Sequence, residues 1–190
     1  MNNRQDYFVH PTAFIEDNVS IGEGTKIWHL VQVRTGAVIG SNCIFGKSVF
    51  IDFEVKIGNN VKIQNFVSVY HGVTLEDDVF VGPHVCFTND FLPRATNTDW
   101  VLVPTLVKKG ASLGANSTII CGITIGEYAM IGAGSLVSKD VSPHTLVFGN
   151  PVRLKGYVCY CGEILIKTNE QLQSGTKLTC EKCKKEIIIK

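Results

Sequence analysis

The chain is poor in the features that mark membrane, secreted or nucleic-acid-binding proteins. No apolar run in its 190 residues approaches the roughly 18 needed to cross a bilayer. The opening stretch MNNRQDYFVHPTA lacks an apolar segment of signal-peptide length. The formal net charge is only +1, so there is no electrostatic basis for attraction to nucleic acid or to an anionic membrane. These absences lead to the expectation of a cytoplasmic protein whose seven cysteines stay reduced. The length suits one domain with a small appendage.

What the chain does have is a strict period. Every sixth residue from Val9 to Phe87 is a bulky apolar one, through Ile15, Ile21, Ile27, Val33, Ile39, Phe45, Ile51, Ile57, Ile63, Val69, Leu75 and Val81. Four residues after each comes a second, smaller set that includes Ala13, Thr25, Val31, Ala37, Cys43, Val49 and Val55. Helical amphipathicity repeats near 3.6 residues and a strand at 2, so neither explains a six. A hexapeptide period predicts a parallel β-helix, an all-β prism of short strands stacked coil upon coil. Cys43 then reads as a small buried hydrophobe. Glycines after the apolar residue, such as Gly22, Gly40, Gly46, Gly58 and Gly82, are expected at corners that need positive φ.

The phase breaks after Phe87 and resumes at Val107, Leu113, Ile119, Ile125, Ile131 and Val137. Residues 88–106 are therefore expected to leave the prism as a polar, aromatic-bearing loop, which a regular solenoid usually keeps for a use. After Val141 the repeat dissolves, and from about Gly156 short β-rich runs surround paired cysteines. The expected organisation is a β-helix over 1–155 and a tail over 156–190.

If three hexapeptides make one coil, residues 18 apart stack, about 4.8 Å from one another. Arg34, Asp52, Glu54, Tyr70, His71, Asn89 and Asp90 then share one edge at the root of the loop, with His71 one coil below Asn89. This edge could orient a hydroxyl-rich substrate, although a merely solvated edge would be polar too. His71 is the histidine best placed for general-base work, because imidazole titrates near neutrality. His29 falls in another column, with Lys47 and Asn65, where it could meet a phosphate; His84 should point outward. A second candidate site is IGAGSLVSKDVSPHTLVFGNPVRLKG. Small residues at Gly132, Ala133, Gly134 and Ser135 admit a long thin ligand, and Gly149-Asn150-Pro151 makes a fixed turn. Arg153 and Lys155 lie just beyond it, with Lys108 and Lys109 as candidate neighbours for phosphates.

The hexapeptide repeat followed by GNPVR resembles the left-handed β-helix acyltransferases that use acyl-CoA. Within them, KIWHL, QVRTGAVIG, GKSVFID, SVYHGVTLEDDVFVGP and FTNDFLPRA resemble the N-acetyltransferases of nucleotide-linked 3-amino sugars, over roughly residues 8–155. The resemblance implies a left-handed parallel β-helix, against the usual crossover hand. It also implies a homotrimer with acetyl-CoA in the groove between prisms and the sugar nucleotide near the loop. By the same resemblance Asn89 and Asp90 lie beside the amino sugar, with His71 as a candidate base that the family does not strictly require. Arg34, Glu54, Tyr70 and Arg94 are the expected sugar-nucleotide contacts. Ala133, Gly134, Gly149, Asn150 and Arg153 line the expected cofactor path. The implied role is surface-polysaccharide synthesis on a UDP- or dTDP-linked sugar, and the FTND form inclines toward the dTDP-linked 3-amino-3,6-dideoxyhexoses.

An O-acetyltransferase on the same fold and a non-enzymatic scaffold are the alternatives. A γ-type carbonic anhydrase would need paired late histidines, and after His84 only His144 remains. In the tail, Cys159, Cys161, Cys180 and Cys183 suit a closed structural zinc site. The first pair is C-x-C where C-x-x-C is commoner, so a metal-free relic of a zinc ribbon and a pair of disulfides remain alternatives.

Overall fold

The computed structural model describes residues 6–189, all as strands, turns and corners without a helix. Two-residue strands repeat every six residues and wind round a three-sided prism. The first face begins at Phe8–Val9, the second at Phe14–Ile15 and the third at Ser20–Ile21. All pairing between coils is parallel. Its register is 18 residues, as in Phe8↔Lys26, Phe14↔Gln32 and Ser20↔Val38.

Each strand turns one side chain inward and one outward, the alternation a pleat imposes. The predicted sixth-residue positions fill the interior: from Ile27 through Phe87, and again from Val107 to Val137, they are buried. The smaller second set packs between them, with Thr25 satisfied inside the core by the Gly40 carbonyl and the Cys43 amide. Val9, Ala13, Ile15, Val19 and Ile21 in the first coil are only partly covered. Burial pushes the Cys43 thiol above its ordinary pKa, as suits an inert core residue.

The corner glycines serve a different purpose from the one expected. Gly22, Gly40, Gly46, Gly58 and Gly82 do not have positive φ. They are small because the coil above lies on them: a Cβ on Gly40 would sit 2.6 Å from the Gly58 carbonyl carbon, and one on Gly22 just as close to that of Gly40. The left-handed conformation falls instead on a separate six-residue series, from Asn18 through Gly24, Leu30, Gly36, Asn42, Ser48, Glu54, Asn60, Phe66, Gly72 and Asp78 to His84. It resumes with Gly110, Asn116, Gly122, Tyr128 and Gly134.

The excursion leaves from the edge between the second and third faces. It occupies residues 88–104, because Thr105 and Leu106 already pair with Val73 and Thr74 in the third face. Across it the register jumps, so that Cys86 pairs with Thr118 and Val81 with Leu113. The coils stack as if the fourteen extra residues were absent.

The last coil closes with an antiparallel hairpin, Thr145–Gly149 and Val152–Val158, added to the first face. Strand Val152–Val158 then pairs with Ile164–Lys167 of the tail and so runs across residue 155 rather than stopping there. The tail has its own small core of Tyr157, Ile187 and Ile189, flanked by Leu154, Leu165, Leu172 and Leu178.

Candidate functional site

The edge below the excursion carries a connected polar group, built on one buried carboxylate. Asp52 is 8% exposed. Its Oδ1 accepts from Arg34 at 2.8 Å and from the Phe53 amide at 2.9 Å, and its Oδ2 accepts from the His71 amide at 3.2 Å. Arg34 also approaches Glu16 at 3.6 Å. The Arg34 guanidinium lies over the Phe53 ring at 5.2 Å, and His71 stacks on the same ring at 4.1 Å and 15°. Phe53 therefore acts as a platform between the two.

The His71 tautomer follows from its partner. Nδ1 lies 3.0 Å from the Phe53 carbonyl oxygen, which only accepts, so Nδ1 carries the proton and Nε2 keeps its lone pair. A half-buried imidazole so held can accept a proton at Nε2. Glu54 stands 4.0 Å from Nδ1, beyond hydrogen-bond reach, with a largely exposed carboxylate. Tyr70 packs against Phe50, 6.2 Å between ring centroids.

Thr88 keeps the prism register, taking the Cys121 amide at 2.9 Å. Asn89 and Asp90, half-buried, are the first residues to depart. Asp90 accepts from the Leu92 amide at 2.9 Å and so shapes the root of the excursion. Neither residue is hydrogen-bonded to His71, whose bonds go to Asp52 and Phe53. Arg94 sits farther out and donates to the Pro93 carbonyl within the excursion itself. Sequence reasoning missed Phe53, although its spacing of 18 from both Thr35 and His71 was the available signal.

The second candidate site lies on another edge, between the first and second faces. Ala133 and Gly134 are exposed there, and nothing lies within 4 Å of where a Gly134 Cβ would be. Ser135 joins this corner to the hairpin turn: its hydroxyl donates to the Gly132 carbonyl at 2.7 Å and accepts from the Gly149 amide at 3.3 Å. Asn150 and cis Pro151 form the turn, and Arg153 stands opposite Phe148 in the register. Lys155 lies over the Phe148 ring at 5.6 Å. Lys108 and Lys109 do not join them. They occupy the edge between the third and first faces, where Lys109 meets Asp78 at 3.6 Å.

The remaining histidines have local partners. His29 stacks on His10 at 3.6 Å, and His84 is exposed and stacked on Phe66. His144 is buried, with Nδ1 on the Val158 carbonyl at 3.0 Å. In the tail, the four predicted cysteines converge, with their sulfurs all within 4.8 Å of one another. Burial pushes Cys159 up to about 12, whereas the amides of Cys183 and Lys182 bring Cys180 down to about 7.

The repeat that builds this prism is that of a family of bacterial transferases. Residues 6–52, 54–89 and 104–139 match the bacterial transferase hexapeptide model (six repeats), and the chain belongs to that family. Residues 36–71 also match the hexapeptide repeat of succinyl-transferase. Among particular relatives, the chain is 49% identical over 154 residues to a dTDP-3-amino-3,6-dideoxy-α-D-galactopyranose 3-N-acetyltransferase of Aneurinibacillus thermoaerophilus, covering 81% of this chain and 80% of that one. It is 37% identical to serine acetyltransferase 2 of Arabidopsis thaliana over 77% of this chain, but spans only 31% of that relative. A hexapeptide-repeat acetyltransferase of Vibrio cholerae O1 biovar El Tor, solved with acetyl coenzyme A, superposes with a TM-score of 0.57 at 26% identity. That superposition covers 64% of this chain and 70% of the other. No helix among the described residues is long and apolar enough to cross a membrane.

Proposed function

We propose that this chain is an acyltransferase that moves the acetyl group of acetyl-CoA onto the 3-amino group of a nucleotide-linked amino sugar, in surface-polysaccharide synthesis. The observation that carries the reading is the 49% identity to a dTDP-sugar 3-N-acetyltransferase over four-fifths of both chains. The polar edge beneath the excursion supports it. The sugar nucleotide lies at the root of the excursion, where Asn89 and Asp90 flank the amine and Arg34, Glu54, Tyr70 and Arg94 surround the rest.

The amine attacks the thioester carbonyl; a C–N bond forms, the C–S bond breaks, and CoA leaves as the thiolate. The amine's surplus proton passes to His71 Nε2 and from there to the thiolate. Backbone amides stabilise the tetrahedral oxyanion. Orientation supplies much of the rate, since well-placed reactants gain roughly 7–11 kcal/mol in effective molarity. Ala133, Gly134, Gly149, Asn150 and Arg153 hold the donor, with Arg153 at its phosphates.

In one prism the donor edge and the His71 edge are separated by the whole second face. Two copies side by side remove that separation, and a homotrimer has three such sites. The trimer thus follows from the same reading.

The test is CoA-thiol release with a panel of dTDP- and UDP-linked 3-amino sugars, and turnover is expected on a dTDP-linked member. Absence of turnover on every member would refute the substrate assignment. The fixed His71 tautomer also suits a hydroxyl acceptor, which needs a firm base. Matched acceptors separate the two: transfer to the 3-amino sugar with none to its 3-hydroxyl counterpart supports N-acetylation, and the reverse supports O-acetylation.

A further inference from the structure

We infer that Cys159, Cys161, Cys180 and Cys183 hold a structural zinc ion, and that this ion fixes the far end of the strand carrying Arg153. The sulfur geometry is the first support. Cys159 and Cys183 lie 3.4 Å apart and Cys161 and Cys180 3.7 Å apart, with every pair within 4.8 Å. Zinc–sulfur bonds of about 2.3 Å in a tetrahedron give sulfur–sulfur edges of about 3.8 Å. A disulfide would need about 2.05 Å.

The backbone aims the thiols from two tight turns. In the first, the Gly162 amide returns to the Cys159 carbonyl at 2.9 Å, with Gly162 at φ 84°. In the second, the Lys184 amide returns to the Cys180 carbonyl at 2.9 Å, with Lys184 at φ 61°. The turn in the first pair is what lets a C-x-C spacing deliver both thiols to one point.

Apolar packing supplies little to hold the tail. Its core is three buried side chains, far below what a free-standing unit requires, so metal binding would account for its folding. Tetrahedral thiolate sets select zinc or iron, and zinc as a four-coordinate ion leaves no open position for chemistry. The site is therefore structural.

Its coupling to the prism is direct. Tyr160, between the first two cysteines, packs edge-on against His144 and Tyr128, each at 4.7 Å. Val158 donates to the His144 carbonyl at 2.8 Å and accepts His144 Nδ1 at 3.0 Å. Strand Val152–Val158 carries Arg153 near its start and ends next to Cys159. The zinc content stands on its own; its effect on the donor rests on the acetyl-CoA reading above.

The experiment uses the full chain, purified without a metal-affinity tag and dialysed against a weak chelator. Elemental analysis of wild type, Cys161→Ser, Cys183→Ser and, as a control, the distant Cys86→Ala reads the site. About one zinc per chain is expected in wild type and control. The two serine variants should lose most of it, melt earlier and show a raised KM for acetyl-CoA, with kcat at saturating donor little changed. A metal-free wild type with four titratable thiols would overturn the proposal, as would iron in the site, or Cys159–Cys183 and Cys161–Cys180 disulfides by mass spectrometry. If the serine variants do not fold, the wild-type metal content alone decides. Zinc present with an unmoved KM in folded serine variants would remove the donor coupling. Zinc present without any acetyl transfer would count against the acetyltransferase reading and leave the site standing.

Discussion

Asp52→Asn is the most incisive single change, because it alters one atom's chemistry and no shape. Asp52 Oδ1 already receives two donors, from Arg34 and from the Phe53 amide, and an asparagine carbonyl oxygen keeps both. The other position becomes an NH₂ group facing the His71 amide, a donor against a donor where a 3.2 Å bond stood. Turning the amide over only moves the conflict to Arg34 and Phe53. Loss of a buried acceptor costs about 1–3 kcal/mol. Loss of the ion pair with Arg34, whose side chain is 39% exposed, adds no more than about 1 kcal/mol. A total near 2 kcal/mol is expected from urea denaturation. The second consequence is displacement of the residue 71 backbone, and hence of Nε2. Misplacement by about 1 Å can cost on the order of 10²-fold in rate. Steady-state kinetics should show the fall in kcat with the KM for acetyl-CoA unchanged, because Asp52 bonds to Arg34, Phe53 and His71 and to none of the residues proposed to hold the donor. A variant with stability within about 0.5 kcal/mol of wild type and full kcat would refute the role given to Asp52.

Other outcomes follow from the same geometry. Excising residues 89–102 removes fourteen residues and restores the 18-residue register, so the melting curve should keep its cooperativity while acceptor turnover disappears; a collapsed fold would contradict the independence of coils and excursion. Gly40→Ala should lose about 1–3 kcal/mol, since its methyl meets backbone at 2.6 Å, measured by chemical denaturation. Gly134→Ala meets no neighbour but sits at φ 68°, so its loss should be nearer 1 kcal/mol and its effect confined to stability and donor affinity. Ser135→Ala removes the bond between the corner and the hairpin turn and should weaken acetyl-CoA binding, read as a smaller thermal shift on adding CoA.

The parts of the fold that were legible are those in which one residue type answers to one physical demand. Interior slots accept only apolar or small side chains, so Ile27, Phe45 and Leu113 announced themselves by period. The edge beneath the excursion was legible for the same reason, since stacking arithmetic placed Arg34 under Asp52 and the structure joins them. Glycine was misleading because two demands select it. At Gly40 the demand is room for the next coil, and at Gly72 it is left-handed backbone. The left-handed series itself was hidden, because asparagine, leucine, glutamate and phenylalanine share it. Lys108 and Lys109 were candidate neighbours of Arg153, whereas their phase with Glu76 and Asp78 puts them on a different edge. The first-pair cysteine spacing did not reveal the turn at Gly162 that brings its thiols together.

The left-handed series also bears on how the surface tolerates change. Most of its members are exposed, and exposed positions of a stable protein are usually freely substituted. Here a scan of every surface position should instead show a six-residue rhythm of intolerance, out of step with that of the core. The non-glycine occupants include no valine, isoleucine or threonine, the residues for which positive φ is most strained. Replacement libraries for this surface should accordingly admit glycine, asparagine and aspartate at those sites and leave valine, isoleucine and threonine out.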